Sequence, residues 1–145
     1  MNKISKIMIS ISLIFFWSNF ALSKANFYDK ALKFYENKKY EEARFLFERN
    51  IVFNPKDAKS YLYLAKIYNK EEDQRKEEYN LETALLIEPD NEEVLLMLMK
   101  IALKKSNYSK VKVLSKTFAK VCKKLCDEND QIQESLKNLE PKNES

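Results

Sequence analysis

The chain has 145 residues, enough for one ordinary domain or a short array of repeats. It contains no glycine and no histidine. Without Gly there is no G-x-G-x-x-G loop and no Walker loop, since both need backbone closer to a phosphate than a Cβ allows. Without His there is no Ser-His-Asp or Cys-His nucleophile system and no His-ligated metal. Hydrophobic residues make up 45% and charged residues 33%, enough apolar material for a core. Three Pro and no Gly argue against the tight turns of a β-rich fold. An all-α chain with no catalytic machinery and no cofactor is expected, and the question becomes which surface binds what.

The N-terminus reads as an address. Lys3 and Lys6 precede an apolar run, Ile7–Phe20, and Ala21-Leu22-Ser23 offers small residues where a signal peptidase reads. Cleavage is expected after Ser23, with Ala25 as a second cut site. The alternative is a retained membrane anchor, although the run is short against the roughly 20 residues that span a bilayer. Removing residues 1–23 takes away two Lys and no acid, so the charge falls from +4 to +2. This near-neutral sum hides blocks. Residues 71–93 hold ten acids against Arg75 and Lys76, residues 94–126 hold nine Lys and no acid, and residues 127–145 are acidic again. Such blocks point to neighbouring helices that attract each other.

After the address, the chain repeats. Pro55 and Pro89 are 34 residues apart and each follows an apolar helical run. The same offset superposes Phe27 on Tyr61 and Leu95, Ala31 on Ala65, Phe34 on Tyr68, Tyr40 on Tyr108, and Phe47 on Leu81. A fixed period of this size signals a helix-turn-helix solenoid. Asn26 with Asp29, and Asp90 with Glu93, have the spacing of N-cap pairs. Asn54-Pro55 and Glu88-Pro89 end helices, because the residue before Pro is pushed out of the α region. Phe27, Phe34, Phe45, Phe47, Tyr61 and Tyr68 recur at helical spacing and are expected in the core. Asp127–Leu139 places Ile132, Leu136 and Leu139 on one face, as a capping helix or as a continuation of the helix before it.

These residues resemble tetratricopeptide repeats (TPR), with a small residue and aromatics on the first helix, Ala and an aromatic on the second, and a closing Pro. The unit Phe27–Pro55 has Ala31, Phe34, Tyr40, Ala43, Phe47 and Pro55 in place. The unit Tyr61–Pro89 departs in its middle, where Gln74 and Glu77 replace an aromatic and Ala. A third unit, Leu95–Lys124, has no closing Pro. The glycines usual in the family are replaced by Ala31, Ala65 and Met99 at the helix contact and by Lys38, Glu72 and Ser106 at the turn. The implied architecture is an all-α TPR solenoid of about three repeats over residues 24–126. Its units lie near 24–57, 58–91 and 92–124, followed by a capping helix at 127–139 and a frayed tail at 140–145.

In the TPR family, the first helices line a groove that holds a peptide or a partner helix. Carried over by the alignment, the groove here would present Tyr28, Leu32 and Tyr35 from the first unit. The second would add Leu62, Tyr63, Lys66, Asn69 and Lys70, and the third Leu96, Met97, Lys100, Leu103 and Lys104. Lys66 with Lys70, and Lys100 with Lys104, are i, i+4 pairs that stand 34 residues apart. Four like charges gathered in this way would welcome an anionic partner. Otherwise they are a solvated lysine face. The carboxylate clamp of chaperone-binding TPR domains is absent, since Tyr28, Leu32, Tyr63, Glu93 and Met97 occupy its positions.

Cys122 and Cys126 form C-x-x-x-C, which suits a disulfide in an exported chain, particularly if the helix ends near Lys123-Lys124. Two packed free thiols are the alternative. A metal would need ligands the sequence does not offer. The resulting expectation is an exported scaffold, most simply periplasmic, that binds a protein or acidic peptide and not nucleic acid. The alternative is a peripheral membrane module, held by its basic third repeat or by an uncleaved N-terminal helix.

Overall fold

The structure, a computed structural model, describes residues 26–139. The expected signal peptide and its cleavage sites, the side chain of the Asn26 cap, and the tail at 140–145 lie outside the described residues and side chains. Seven α-helices and no strand occur among the described residues. They are α1 (Asn26–Glu36), α2 (Tyr40–Phe53), α3 (Ala58–Lys70), α4 (Gln74–Ile87), α5 (Glu92–Lys104), α6 (Tyr108–Val121) and α7 (Cys126–Leu139). The chain divides between Pro55 and Lys56 into two compact units, so that α1–α2 belong to the first and α3–α7 to the second.

The turn inside each hairpin is built the same way three times. The amide of Lys39 donates to Phe34 O, that of Asp73 to Tyr68 O, and that of Asn107 to Ala102 O, at 2.9, 3.0 and 2.8 Å. Each is a backbone bond over five residues, as in a Schellman closure. It requires a left-handed residue just before the donor. Lys38, Glu72 and Ser106 take that conformation, with φ of 60°, 59° and 55°. They stand 34 residues apart and are the positions where the family resemblance would place glycine. The residue after each one is the N-cap of the next helix. The side chains of Asp73 and Asn107 accept from the amides of Lys76 and Lys110, both at 3.1 Å, whereas Lys39 offers no side-chain cap.

The turns between hairpins also recur. α2 and α4 stop at Phe53 and Ile87, one residue before Asn54-Pro55 and Glu88-Pro89. The cap of α5 corrects the sequence reading by one place. Asn91, not Asp90, accepts from the amide of Val94, at 3.1 Å, and its own amide group donates to Glu88 at 3.0 Å. α6 stops at Val121, and Cys122, one period after Glu88, occupies the C-cap. No proline follows it. A Cys122–Cys126 disulfide with a Cα–Cα distance of 5.4 Å closes the turn instead. α7 is therefore separate from α6, and it starts at Cys126, one period after Glu92 opens α5.

In unit one, α1 packs on α2 through Ala31, Ala43 and Phe47, all fully buried. Phe27 stacks on Phe53 at 5.7 Å between ring centroids, beneath the Arg49 guanidinium at 4.7 Å. Phe45 departs from the expected core, with 61% of its surface exposed. In unit two, Leu62, Ala65, Leu81, Ala84, Val94, Leu98 and Ile101 form one cluster across α3, α4 and α5. Leu95, Leu96, Met99, Ala102, Val111, Phe118, Ile132 and Leu136 form the next, across α5, α6 and α7. Ile132 and Leu136 lie one period after Leu98 and Ala102, so α7 presents the same stripe as α5. A helical hairpin cannot bury its apolar face alone, and within unit two α5 closes the cluster of α3 and α4 while α7 closes that of α5 and α6.

Candidate functional site

The groove residues expected from the sequence fall in both units. In unit one, Tyr28 and Tyr35 are half-buried and take part in packing. The Tyr28 ring meets Phe47 edge-on at 5.8 Å, and Tyr35 meets Tyr40 at 5.5 Å. An open cleft of about 490 Å³ in the same unit is lined by Lys30, Lys33, Phe34, Asn37 and Lys39. The sequence did not single out this cleft. Of its lysines, Lys33 stands in the last turn of α1, where positive charge complements the helix dipole.

In unit two, α3 and α5 turn Leu62, Ala65, Val94, Leu98 and Ile101 into the core. Tyr63 and Lys66 of α3 and Met97 of α5 are half-buried, and Lys70, Lys100 and Lys104 are exposed. Leu62 and Leu96, expected on the groove side, are buried and belong to the core. Lys66 Nζ lies 4.8 Å from the centre of the Tyr63 ring and 2.7 Å from Glu93 Oε1. Lys100 Nζ lies 3.1 Å from Glu128 Oε2 at the start of α7. Lys66 and Lys100 are thus already faced by carboxylates of the same chain. Lone sequence spacing could not show this, because Glu93 and Glu128 reach them from other helices.

Asn69 is held by a buried acid. Its side-chain amide donates to Glu77 Oε1 at 2.9 Å. Glu77 is only 5% exposed and sits one period after Ala43 and one before Val111, at a position that is otherwise apolar core. Burial pushes its carboxyl above the usual carboxylate range, partly offset by the Asn69 hydrogen bond and by Lys104. The mismatch visible in the sequence at Glu77 is thus answered by Asn69 on the neighbouring helix.

The acidic and basic blocks meet behind this face. Glu78 accepts from Lys105 and, at 2.8 Å, from Lys110, while Lys110 also reaches Glu82 at 2.7 Å. Hydrogen bonds from Lys105 and Lys110 hold Glu78 below the usual carboxylate range. Burial disfavours the charge on Lys110, but the bonds to Glu78 and Glu82 outweigh it and raise its pKa. Glu92 accepts from the backbone amides of Lys124 and Leu125, both at 3.0 Å, inside the disulfide-closed turn. These amides and that of Lys123 lower its pKa. Among the described residues no group of His, Cys, Asp and Glu could hold a metal ion, and no helix is long and apolar enough to cross a membrane.

No protein-family model matches the sequence, and no curated protein matches it. Solved structures match by fold. The Yersinia enterocolitica type III secretion chaperone SycD, in complex with a peptide of the translocator YopD, superposes with a TM-score of 0.65 at 13% identity. The match covers 77% of this chain and 88% of that one. The Sgt2 TPR domain from Aspergillus fumigatus gives 0.62 at 14% identity, over 85% and 87%. A chain of the CopN–Scc3 complex gives 0.60 at 12% identity, over 79% and 67%. With the repeated hairpins and their shared turn, these likenesses show that the chain has the all-α fold of TPR-type helical repeats.

Proposed function

We propose that the chain is a TPR-like module that binds a protein or an extended acidic peptide on the exposed side of α3 and α5. The observation that carries this reading is the sidedness of those two helices. Their apolar stripes are buried, while Tyr63, Lys66, Lys70, Met97, Lys100 and Lys104 stay at least partly open. Tyr63 and Met97 offer amphipathic and adaptable contact area, and the lysines offer charge. The ion pairs to Glu93 and Glu128 do not close this face. Solvent-exposed pairs are worth about 0–1 kcal/mol, so a ligand carboxylate replaces an internal one at little cost. Two of the fold neighbours are themselves complexes, SycD with a YopD peptide and CopN with Scc3, which supports peptide or protein capture here. Residues 1–23 act as an export signal in this reading, and the protein works in the cell envelope, most simply the periplasm. The Cys122–Cys126 disulfide supports an oxidising compartment.

The test is titration with acidic and basic peptides at increasing salt. Acidic peptides should bind, and more weakly as salt rises, since screening acts over about 8–10 Å. Lys66→Glu with Lys100→Glu should abolish binding while far-UV circular dichroism stays helical. Lys116→Glu with Lys120→Glu should change it little. Unchanged affinity in the Lys66/Lys100 variant would overturn the assignment of this face.

A further inference from the structure

The lysines of residues 100–124 include an inner set that reaches carboxylates on other helices and an outer row along α6 and the turn after it. Lys100, Lys105 and Lys110 reach Glu128, Glu78 and Glu82. Lys112, Lys116 and Lys120 follow at i, i+4 and i+8 on α6, which places them along one side of the helix, and Lys123 and Lys124 extend the row into the next turn. All five are exposed. Lys116, Lys120, Lys123 and Lys124 make no ion pair among the described residues. Along α6, from Lys112 to Lys120, the row spans roughly 12 Å at 1.5 Å per residue.

Apolar side chains stand in the same place. Val113, three residues before Lys116 and seven before Lys120, is 65% exposed on the same side of α6. Lys110 reaches from α6 to Glu78 and Glu82, one turn apart on α4, and so fixes α4 alongside α6. α4 leaves Tyr79 67% and Leu86 83% exposed, one face apart by seven residues. Tyr79 and Val113 are one repeat apart. Neither the like-charge row nor the open apolar side chains help this unit to fold, since lysines four apart weaken a helix and exposed apolar groups bury nothing.

We propose that the outer face of α6, with Tyr79 and Leu86 of α4 beside it, docks on an anionic membrane surface. The residue types favour a lipid surface over a folded acidic partner. The charges are all lysine, point charges on flexible stems with none of arginine's bidentate geometry, which suits a diffuse layer of headgroups. Tyr is favoured at the membrane–water boundary, and Val113 and Leu86 have the apolar character that enters it shallowly. This face is distinct from the α3 and α5 side chains that would take a peptide, and it stands without that reading.

The experiment compares vesicles of phosphatidylcholine alone with vesicles holding about a third phosphatidylglycerol, using the full chain, so that residues 1–23 contribute equally throughout. The quantity read is the gain in binding on the anionic vesicles, which should fall with salt. Each lysine near such a surface multiplies partitioning about fivefold, so Lys116→Gln with Lys120→Gln should cut the gain about 25-fold. Val113→Asp should weaken it too, and Lys66→Gln with Lys100→Gln should leave it intact. Failure of acidic-peptide titration would not touch this result, because the two sets of variants separate the faces. Equal binding to both vesicle types, or no loss in the Lys116/Lys120 variant, would overturn the proposal. So would capture of soluble polyglutamate by Lys116 and Lys120 with no vesicle binding, which would make an acidic protein the partner.

Discussion

Lys38, Glu72 and Ser106 show how a chain without glycine still closes three helical hairpins. Each sits at φ near +55 to +60°, a conformation that costs an L-residue with a Cβ about 1–2 kcal/mol. Their positions follow from the 34-residue period, but their backbone could not be read from it. A Lys, a Glu and a Ser in a row of good helix formers give no local signal for a left-handed turn. The five-residue hydrogen bonds that close the turns impose it. Glycine at each position relieves the strain and loses part of the gain to its freer unfolded chain. Lys38→Gly, Glu72→Gly and Ser106→Gly should therefore each stabilise the protein by about 0.5–1 kcal/mol. The three sites share no partner, so the triple variant should add their effects. Thermal unfolding checks this, and a triple variant that melts no higher than the parent would show that the turns are unstrained.

Among the elements, α7 most needed the structure. The helix ends at Asn54-Pro55 and Glu88-Pro89 were legible, because proline acts locally. The break between α6 and α7 carries no such residue, and Lys123 and Lys124 are good helix formers, so the sequence left the last helix either separate or continuous. Tertiary bonds decide it. The disulfide closes the turn, and Glu92, on α5, accepts from the backbone amides that the break exposes. Ser115 then donates to Asn129 at 2.6 Å, and Ile132 and Leu136 seal the last cluster. A five-residue ring limits the disulfide's own loop-closure contribution to about 2 kcal/mol. Its removal should act mainly on α7. In Cys122→Ser with Cys126→Ser, or after reduction, amides of residues 126–139 should exchange with solvent faster, while those of α3 and α5 keep their protection. Unchanged exchange along α7 would mean that Glu92 and the apolar contacts hold the helix without the disulfide.

Over the whole molecule, the charge blocks were legible as helices that attract, and the structure pairs the acids of α4 with lysines at the end of α5 and on α6. Which carboxylate would answer which lysine was not legible. Lys66 and Lys100 looked like a bare cationic cluster because Glu93 and Glu128 reach them only through the packing of α5 and α7. The same packing gives stability a pH dependence with opposed contributions. Glu78 is lowered by its lysine hydrogen bonds, and Glu92 and Asp73 by backbone amides. Each contributes stability that is present above the ordinary carboxylate pKa and lost as pH falls through its own lower value. Glu77 works the other way. Its pKa is raised by burial, so its contribution is full below the ordinary value and is lost as pH rises through the raised one. Above that raised value the fold holds a charged carboxylate at a core position, steadied by Asn69. Glu77→Gln keeps an oxygen that can accept from Asn69 and never ionises. The variant should melt above the parent at pH 7, and its advantage should shrink towards pH 4, where the parent's Glu77 takes up a proton and becomes nearly isosteric with the glutamine. Paired melts at the two pH values test this. A parent that is the more stable at pH 7, or a difference that does not change with pH, would mean that the Glu77 charge is a favourable part of the core.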